Sequence, residues 1–212
     1  QGFIWTSEQD GFNHIYLYDM SGTLKKQITT GNWEVSSFYG VDEKNKSIYY
    51  QSASVSPMER EIFSIGLDGA NKKPLHVNKG MNTAQFSTTY DLFVLNHSTI
   101  NSAPTYTVYD RKGKVVRVLE NNEGVKKQQE EAGAQPVEFF NFTTSEGVDL
   151  NGYMIKPANF DPAKKYPVFM TLYGGPGSQE VLDGWMGADY WWYQSLAQQG
   201  YIIACVDNRG TG

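Results

Sequence analysis

The chain has a single cysteine among 212 residues, Cys205, so it can form no internal disulfide. Cys205 lies in the apolar run Tyr201-Ile-Ile-Ala-Cys-Val206, where no turn exposes it, and it reads as a small buried hydrophobe rather than a thiol nucleophile. One cysteine leaves the compartment open. No apolar run reaches the length of a membrane-spanning helix. Basic residues are fewer than acidic ones, 18 against 23, and the net charge of −5 argues against a nucleic-acid-binding surface. The pattern Gly-x-Ser-x-Gly, which presents the nucleophile of many α/β hydrolases, occurs nowhere. The glycines of Gly174-Gly-Pro-Gly177 are not followed by Lys-Ser or Lys-Thr, so they form no phosphate loop. His14, His76 and His97 fall in or beside strand-like runs without metal-ligand spacing, and they read as sheet residues, neither bases nor ligands. No metal and no cofactor is expected.

What the chain does have is aromatic side chains, 14% of residues with 14 tyrosines, which suits antiparallel sheet. Three hairpin patterns recur up to about residue 120. Ile15-Tyr-Leu-Tyr-Asp19 turns at Ser21-Gly22 into Leu24 to Thr29, Ile62 to Leu67 turns at Asp68-Gly69 into Lys72 to Val77, and Thr105 to Asp110 turns at Lys112-Gly113 into Val115 to Leu119. Two further strand-like runs precede each of the last two hairpins: Val35 to Val41 with Ser47 to Ala53, and Ala84 to Thr88 with Asp91 to Asn96. Four strands repeating roughly every 40–50 residues is the blade pattern of a β-propeller, though fewer than three whole blades are present. An ordinary antiparallel sheet with accidental similarity is the competing reading.

The pattern stops in the polar stretch Asn121 to Gly133, which reads as a solvated linker or surface helix. The expected domains are 1–133 and 134–212. In the second, Val137 to Phe142 and Val148 to Lys156 form a hairpin around Ser145-Glu-Gly147. Val168 to Tyr173 is a strand, Tyr190 to Gln199 has helical length and stops at Gly200, and Tyr201 to Val206 is the next strand. Strand, helix, strand in this order points to a right-handed crossover in a parallel sheet.

In open α/β sheets the chemistry lies just beyond the carboxyl ends of the strands, which puts Tyr173 at the lip of a site. Its phenol could donate to an oxyanion formed during acyl transfer, or it could be an ordinary rim tyrosine with a satisfied hydroxyl. Ser178 reads as a turn residue rather than a nucleophile. Asp207 and Arg209 read as residues that organise the exit of the last strand, with a charge pair beside the site as the alternative.

Several stretches carry a resemblance. They are Ser7-Glu-Gln-Asp-Gly-Phe-Asn-His-Ile-Tyr16, Gly31-Asn-Trp-Glu-Val35, Val118-Leu-Glu-Asn-Asn122, Lys164-Lys-Tyr-Pro-Val168, the Tyr173-x-Gly-Pro-x-Ser-Gln179 stretch and Asp207-x-Arg-Gly-x-Gly212. In this order and spacing, over nearly the whole chain, they resemble the prolyl oligopeptidase family of serine peptidases, in particular its dipeptidyl-peptidase branch. The resemblance implies the last blades of a β-propeller followed by the N-terminal part of an α/β-hydrolase domain, an all-β part joined to an α/β part. It implies that Tyr173 is the oxyanion-hole tyrosine, and that a serine attacks a peptide carbonyl with His as base and Asp orienting it. Substrates would be peptides with penultimate Pro or Ala, released as N-terminal dipeptides.

The Ser–His–Asp set and the acidic pair that holds the substrate's amino terminus have no counterpart in these residues. The chain therefore reads as an internal fragment, inactive alone and prone to self-association through exposed sheet edges. Its parent would be a homodimer located in the periplasm, outside the cell or on a membrane anchor. Another member of the family, endopeptidase or acylaminoacyl peptidase, or a non-catalytic propeller that binds a partner, are the alternatives.

Overall fold

The computed structural model describes residues 1–76 and 78–211. Among them the secondary structure is overwhelmingly β, four sheets with two helices. The chain forms two compact units, one of Gln1–Thr99 and Pro104–Asn121, the other of Ile100–Ala103 and the residues from Asn122 onward.

The first unit holds three antiparallel sheets, each built from consecutive strands. The first contains β1 (Gly2–Ser7), β2 (His14–Asp19) and β3 (Leu24–Gln27). The second contains β4 (Val35–Asp42), β5 (Ser47–Ser52), β6 (Glu61–Gly66) and the short β7 (Lys73–Pro74). The third contains β8 (Met81–Phe86), β9 (Leu92–Thr99), β10 (Ser102–Asp110) and β11 (Val115–Glu120). Pro74 has no N–H to donate and is tolerated because β7 is an edge strand. Val77, the expected end of the second hairpin, lies outside the described residues.

The three hairpin turns share one backbone pattern. The N–H of Asp19, Gly66 and Asp110 donates to the carbonyl four residues on, and the carbonyls of Asp19, Gly66 and Asp110 accept from the N–H of Gly22, Gly69 and Gly113. The glycines have φ of 83°, 75° and 81°, a left-handed conformation that costs them little. In the first and third turns the leading Asp also accepts from later amides: Asp19 from Ser21 and Thr23, Asp110 from Lys112 and Lys114. In the second turn the leading residue is Gly66, and a Cβ there would collide with Asp68 Oδ1, which takes the N–H of Ala70. The carboxylate is supplied from two residues further along, so the turn chemistry survives the exchange of positions.

The middle sheet is buried on both faces, and the alternation of its side chains explains why. Ile48 and Tyr50 of β5, with Phe63 and Ile65 of β6, pack with Ile15, Ile28 and Val35. Tyr49 and Ile62, pointing the other way, pack with Leu75, Phe93 and Leu95. Side chains alternate faces along a strand, so a strand apolar at successive positions is one sandwiched between two layers. At the far edge of the third sheet, β11 has no such cover: Val115, Val116, Val118 and Leu119 are each about half exposed.

The second unit begins with α1 (Glu123–Glu131), which buries none of its residues. This is the polar stretch expected to be linker or surface helix. The unit's sheet has the order β12-β13-β15-β14, from β12 (Val137–Thr143), β13 (Asp149–Ile155), β14 (Val168–Thr171) and β15 (Ile202–Val206). The pair β14 and β15 is parallel, with Val168 opposite Ile202 and Thr171 opposite Cys205, and α2 (Ala188–Gln198) lies between them in sequence. The other two pairings are antiparallel. Phe169 packs edge-on against Trp192 of α2, their ring centroids 5.1 Å apart, and Ile155, Ile203 and Ala197 are fully buried. The tip Ile100–Ala103 is hydrogen-bonded within this unit: Ile100 N–H donates to Asp183 Oδ1 at 2.8 Å, and Asn101 exchanges two bonds with the backbone of Val137.

Candidate active-site loop

Strand β14 ends at Thr171, two residues before the expected end, because pairing with β15 stops at Thr171 opposite Cys205. Tyr173 is thus a loop residue just past the carboxyl end of a parallel strand, and its side chain is 60% exposed. Gly174 follows with φ of 76°, in the left-handed region that glycine enters freely. A Cβ on Gly175 would come within 3.1 Å of Tyr173 Cε1, so the absent side chain gives the tyrosine ring room over the turn.

The loop then runs to Val181, which is fully buried. Ser178 donates its hydroxyl to Glu180 Oε1 at 3.0 Å, a local turn contact. Asp207, immediately after β15, accepts from the N–H groups of Glu180 at 2.9 Å and Val181 at 3.0 Å, one on each carboxylate oxygen. Arg209 is exposed and lies beside the Thr144–Leu150 hairpin turn, along a cavity lined by Thr144, Ser145, Glu146, Val148 and Leu150. Asp207 therefore organises backbone, as the sequence indicated, and its carboxylate is committed to amides rather than to Arg209.

Cys205 is completely buried in β15. Burial pushes its thiol up to about 11, with a smaller opposing contribution from a hydrogen bond with Tyr153. Burial also raises Tyr153, whose hydroxyl is desolvated alongside it. A thiol held this far above neutrality is not a nucleophile at ordinary pH. The folded value lies above the ordinary one of 9.0, so the associated stability is fully present below pH 9 and is lost as pH rises through about 11. Cys205 is accordingly expected to resist an aromatic disulfide reagent at pH 8 in the native chain and to react stoichiometrically in denaturant. Fast native labelling would show that the thiol is reachable.

The three histidines all belong to the first unit. His14 is fully buried in β2, where Nε2 lies 3.0 Å from the carbonyl of Gly31 and Nδ1 lies 3.1 Å from Thr29 Oγ1. A carbonyl can only accept, so Nε2 carries the proton and Nδ1 accepts from the Thr29 hydroxyl, which itself accepts from Ile15 N–H. The ring is a structural clip. Nothing in the sequence distinguished it from an ordinary strand residue. His97 Nδ1 lies 2.9 Å from Asn82 Oδ1, and the rings of His97 and His76 meet with centroids 5.6 Å apart. Burial, and then the neighbouring His97, hold His76 below the usual imidazole range. Among the described residues no three His, Cys, Asp or Glu side chains gather to hold a metal ion.

Residues 1–104 match the family model of the dipeptidyl peptidase IV N-terminal region. The chain is 35% identical to a probable dipeptidyl peptidase 4 of Arthroderma benhamiae, over 99% of the chain and 28% of the relative. It is 34% identical to a dipeptidyl peptidase 4 of Trichophyton rubrum, with the same coverage. Among solved structures it is similar to Porphyromonas gingivalis dipeptidyl peptidase 4, with a TM-score of 0.93 and 41% identity over 100% of this chain and 29% of that one. It is also similar to a putative dipeptidyl aminopeptidase IV from Bacteroides ovatus, with a TM-score of 0.85 and 28% identity over 100% of this chain and 32% of that one. The chain thus spans less than a third of the length of these relatives.

Proposed function

Because this chain belongs to the dipeptidyl peptidase IV family, we propose that it forms part of a serine exopeptidase that releases N-terminal X-Pro or X-Ala dipeptides. In this reading the three sheets of the first unit are blades of a β-propeller. The mixed sheet with its β14–α2–β15 crossover begins an α/β-hydrolase domain. The half-exposed edge strand β11 is a surface through which copies of the isolated chain pair.

The observation that carries the proposal is the exposed Tyr173 on a glycine loop just past the end of a parallel strand. Serine peptidase chemistry moves negative charge onto the carbonyl oxygen of the scissile bond as the serine adds to it. A donor fixed in advance at that place stabilises the transition state without reorganising when the charge appears. The Tyr173 hydroxyl is such a donor, together with one backbone N–H. The serine, the histidine that takes its proton and the aspartate that orients the histidine are supplied by residues beyond those of this chain.

The test uses a Gly-Pro chromogenic substrate. The longer protein is expected to release the dipeptide and to lose this activity on treatment with a serine-directed fluorophosphonate. The 212-residue chain alone is expected to show none. Turnover by the chain alone that survives repurification, or a longer protein insensitive to the fluorophosphonate, would contradict the assignment.

A further inference from the structure

We infer that Asp207 is a positioning residue for the Tyr173 loop, an inference that rests on the oxyanion reading of Tyr173. The loop from Tyr173 to Val181 contains glycines at 174, 175 and 177, of which Gly174 and Gly177 have φ of 76° and 85°. Such a segment has little stiffness of its own, since glycine places few limits on the backbone. It must be held at both ends to keep one geometry.

Strand β14 holds the first end through its parallel pairing with β15. Asp207 holds the second, through the N–H groups of Glu180 at 2.9 Å and Val181 at 3.0 Å. Asp207 is itself fixed, because its own N–H donates to the carbonyl of Asn151 at 3.1 Å, continuing the β13–β15 ladder by one residue. The register makes the two ends meet. The parallel ladder ends with Thr171 opposite Cys205, so β14 and β15 leave the sheet at the same carboxyl edge, the Tyr173 loop from one and Asp207 from the other. Adjacent strands are about 4.8 Å apart, so the loop that leaves β14 is caught by the residue that leaves β15.

The observed geometry uses both carboxylate oxygens. Two neighbouring amides donate, Glu180 N–H to Oδ1 and Val181 N–H to Oδ2. An asparagine offers one acceptor and one NH2, which would face the second N–H donor to donor. Val181 is fully buried, so its amide is not readily rehydrated when left without an acceptor, whereas the bond from Glu180 is exposed to solvent. The expected consequence of losing the grip is a loop that wanders, and with it a phenol that is misplaced for part of the time.

Two experiments test this. In the 212-residue chain, amide hydrogen exchange of the peptide spanning 174–182 is compared between wild type and Asp207→Asn. Exchange at whichever of Glu180 and Val181 faces the new NH2 is expected to quicken at least about tenfold, since Asn keeps only one of the two acceptor oxygens. In the longer peptidase, Asp207→Asn is expected to lower kcat roughly 10- to 100-fold with KM nearly unchanged, the scale of a small misplacement of a catalytic group. Asp207→Glu, which keeps both acceptors, should recover part of the loss and serves as the folded comparison should the Asn variant not fold.

The decisive arm is the double variant Asp207→Asn, Tyr173→Phe. If Asp207 acts through Tyr173, its removal has little further effect once the hydroxyl is gone. Unchanged exchange, or an Asp207→Asn loss that is the same size in both backgrounds, overturns the inference while leaving the oxyanion reading intact. A Tyr173→Phe variant with wild-type kcat overturns the oxyanion reading itself, and with it any action of Asp207 through the hydroxyl.

Discussion

Replacing Tyr173 by Phe in the longer peptidase is expected to lower kcat about a hundred- to a thousand-fold, the usual effect of removing one oxyanion donor, or roughly 3 to 4 kcal/mol. The substitution deletes only the hydroxyl. The ring remains over Gly175, and a side chain 60% exposed contributes little to packing. The bond to the carbonyl oxygen strengthens as that oxygen gains charge, so its loss falls on the chemical step and KM changes little. The melting temperature should stay within about a degree or two of wild type, as expected for a surface substitution. A rim tyrosine without a catalytic role would leave kcat near wild type, and that result would end the oxyanion assignment.

The second large effect is on stability. Ile203→Ala in β15 is expected to destabilise the second unit by about 2–5 kcal/mol. Ile203 is fully buried at the centre of the sheet, paired with the equally buried Ile155 on one side and with Phe169 on the other. Truncation leaves a cavity among neighbours fixed by two ladders, so little relaxation can fill it. Val168→Ala, on the edge strand with a side chain 59% exposed, should change stability by no more than about 0.5 kcal/mol. Urea unfolding of the two variants side by side measures the contrast. Equal shifts of the midpoint would mean that β15 does not form the core of this sheet.

Much of this architecture was legible because it is local. The three hairpins announce themselves by a glycine between β-rich runs, and the helix from Ala188 ends beside Gly200. The crossover from β14 through α2 to β15 followed from the order strand, helix, strand, and the sheet is parallel there. Where local signals were misleading, the cause is tertiary. Leu172 and Tyr173 look like the end of an apolar strand, yet they have no partner once β15 pairing ends at Cys205. Met81 to Thr83 carry little strand signal, yet β8 includes them because they pair with Asn96 to Ser98 of β9.

Composition and spacing by themselves determined that the chain is rich in short strands, that it can form no internal disulfide, and that the elbow of a hydrolase nucleophile is not among its residues. They also determined where the turns fall, because a turn depends on three or four adjacent residues and on the conformations glycine permits. Only the tertiary structure decided that β5 and β6 are buried on both faces, since this depends on which layers lie beside them. It alone gave His14 its clip between Thr29 and Gly31. It alone brought Asp207 to the amides of Glu180 and Val181. Those contacts join residues far apart in sequence, and a hydrogen bond to a distant amide leaves no periodicity or composition to read. Its cause is the register of β14 on β15, which exists only when the sheet is assembled.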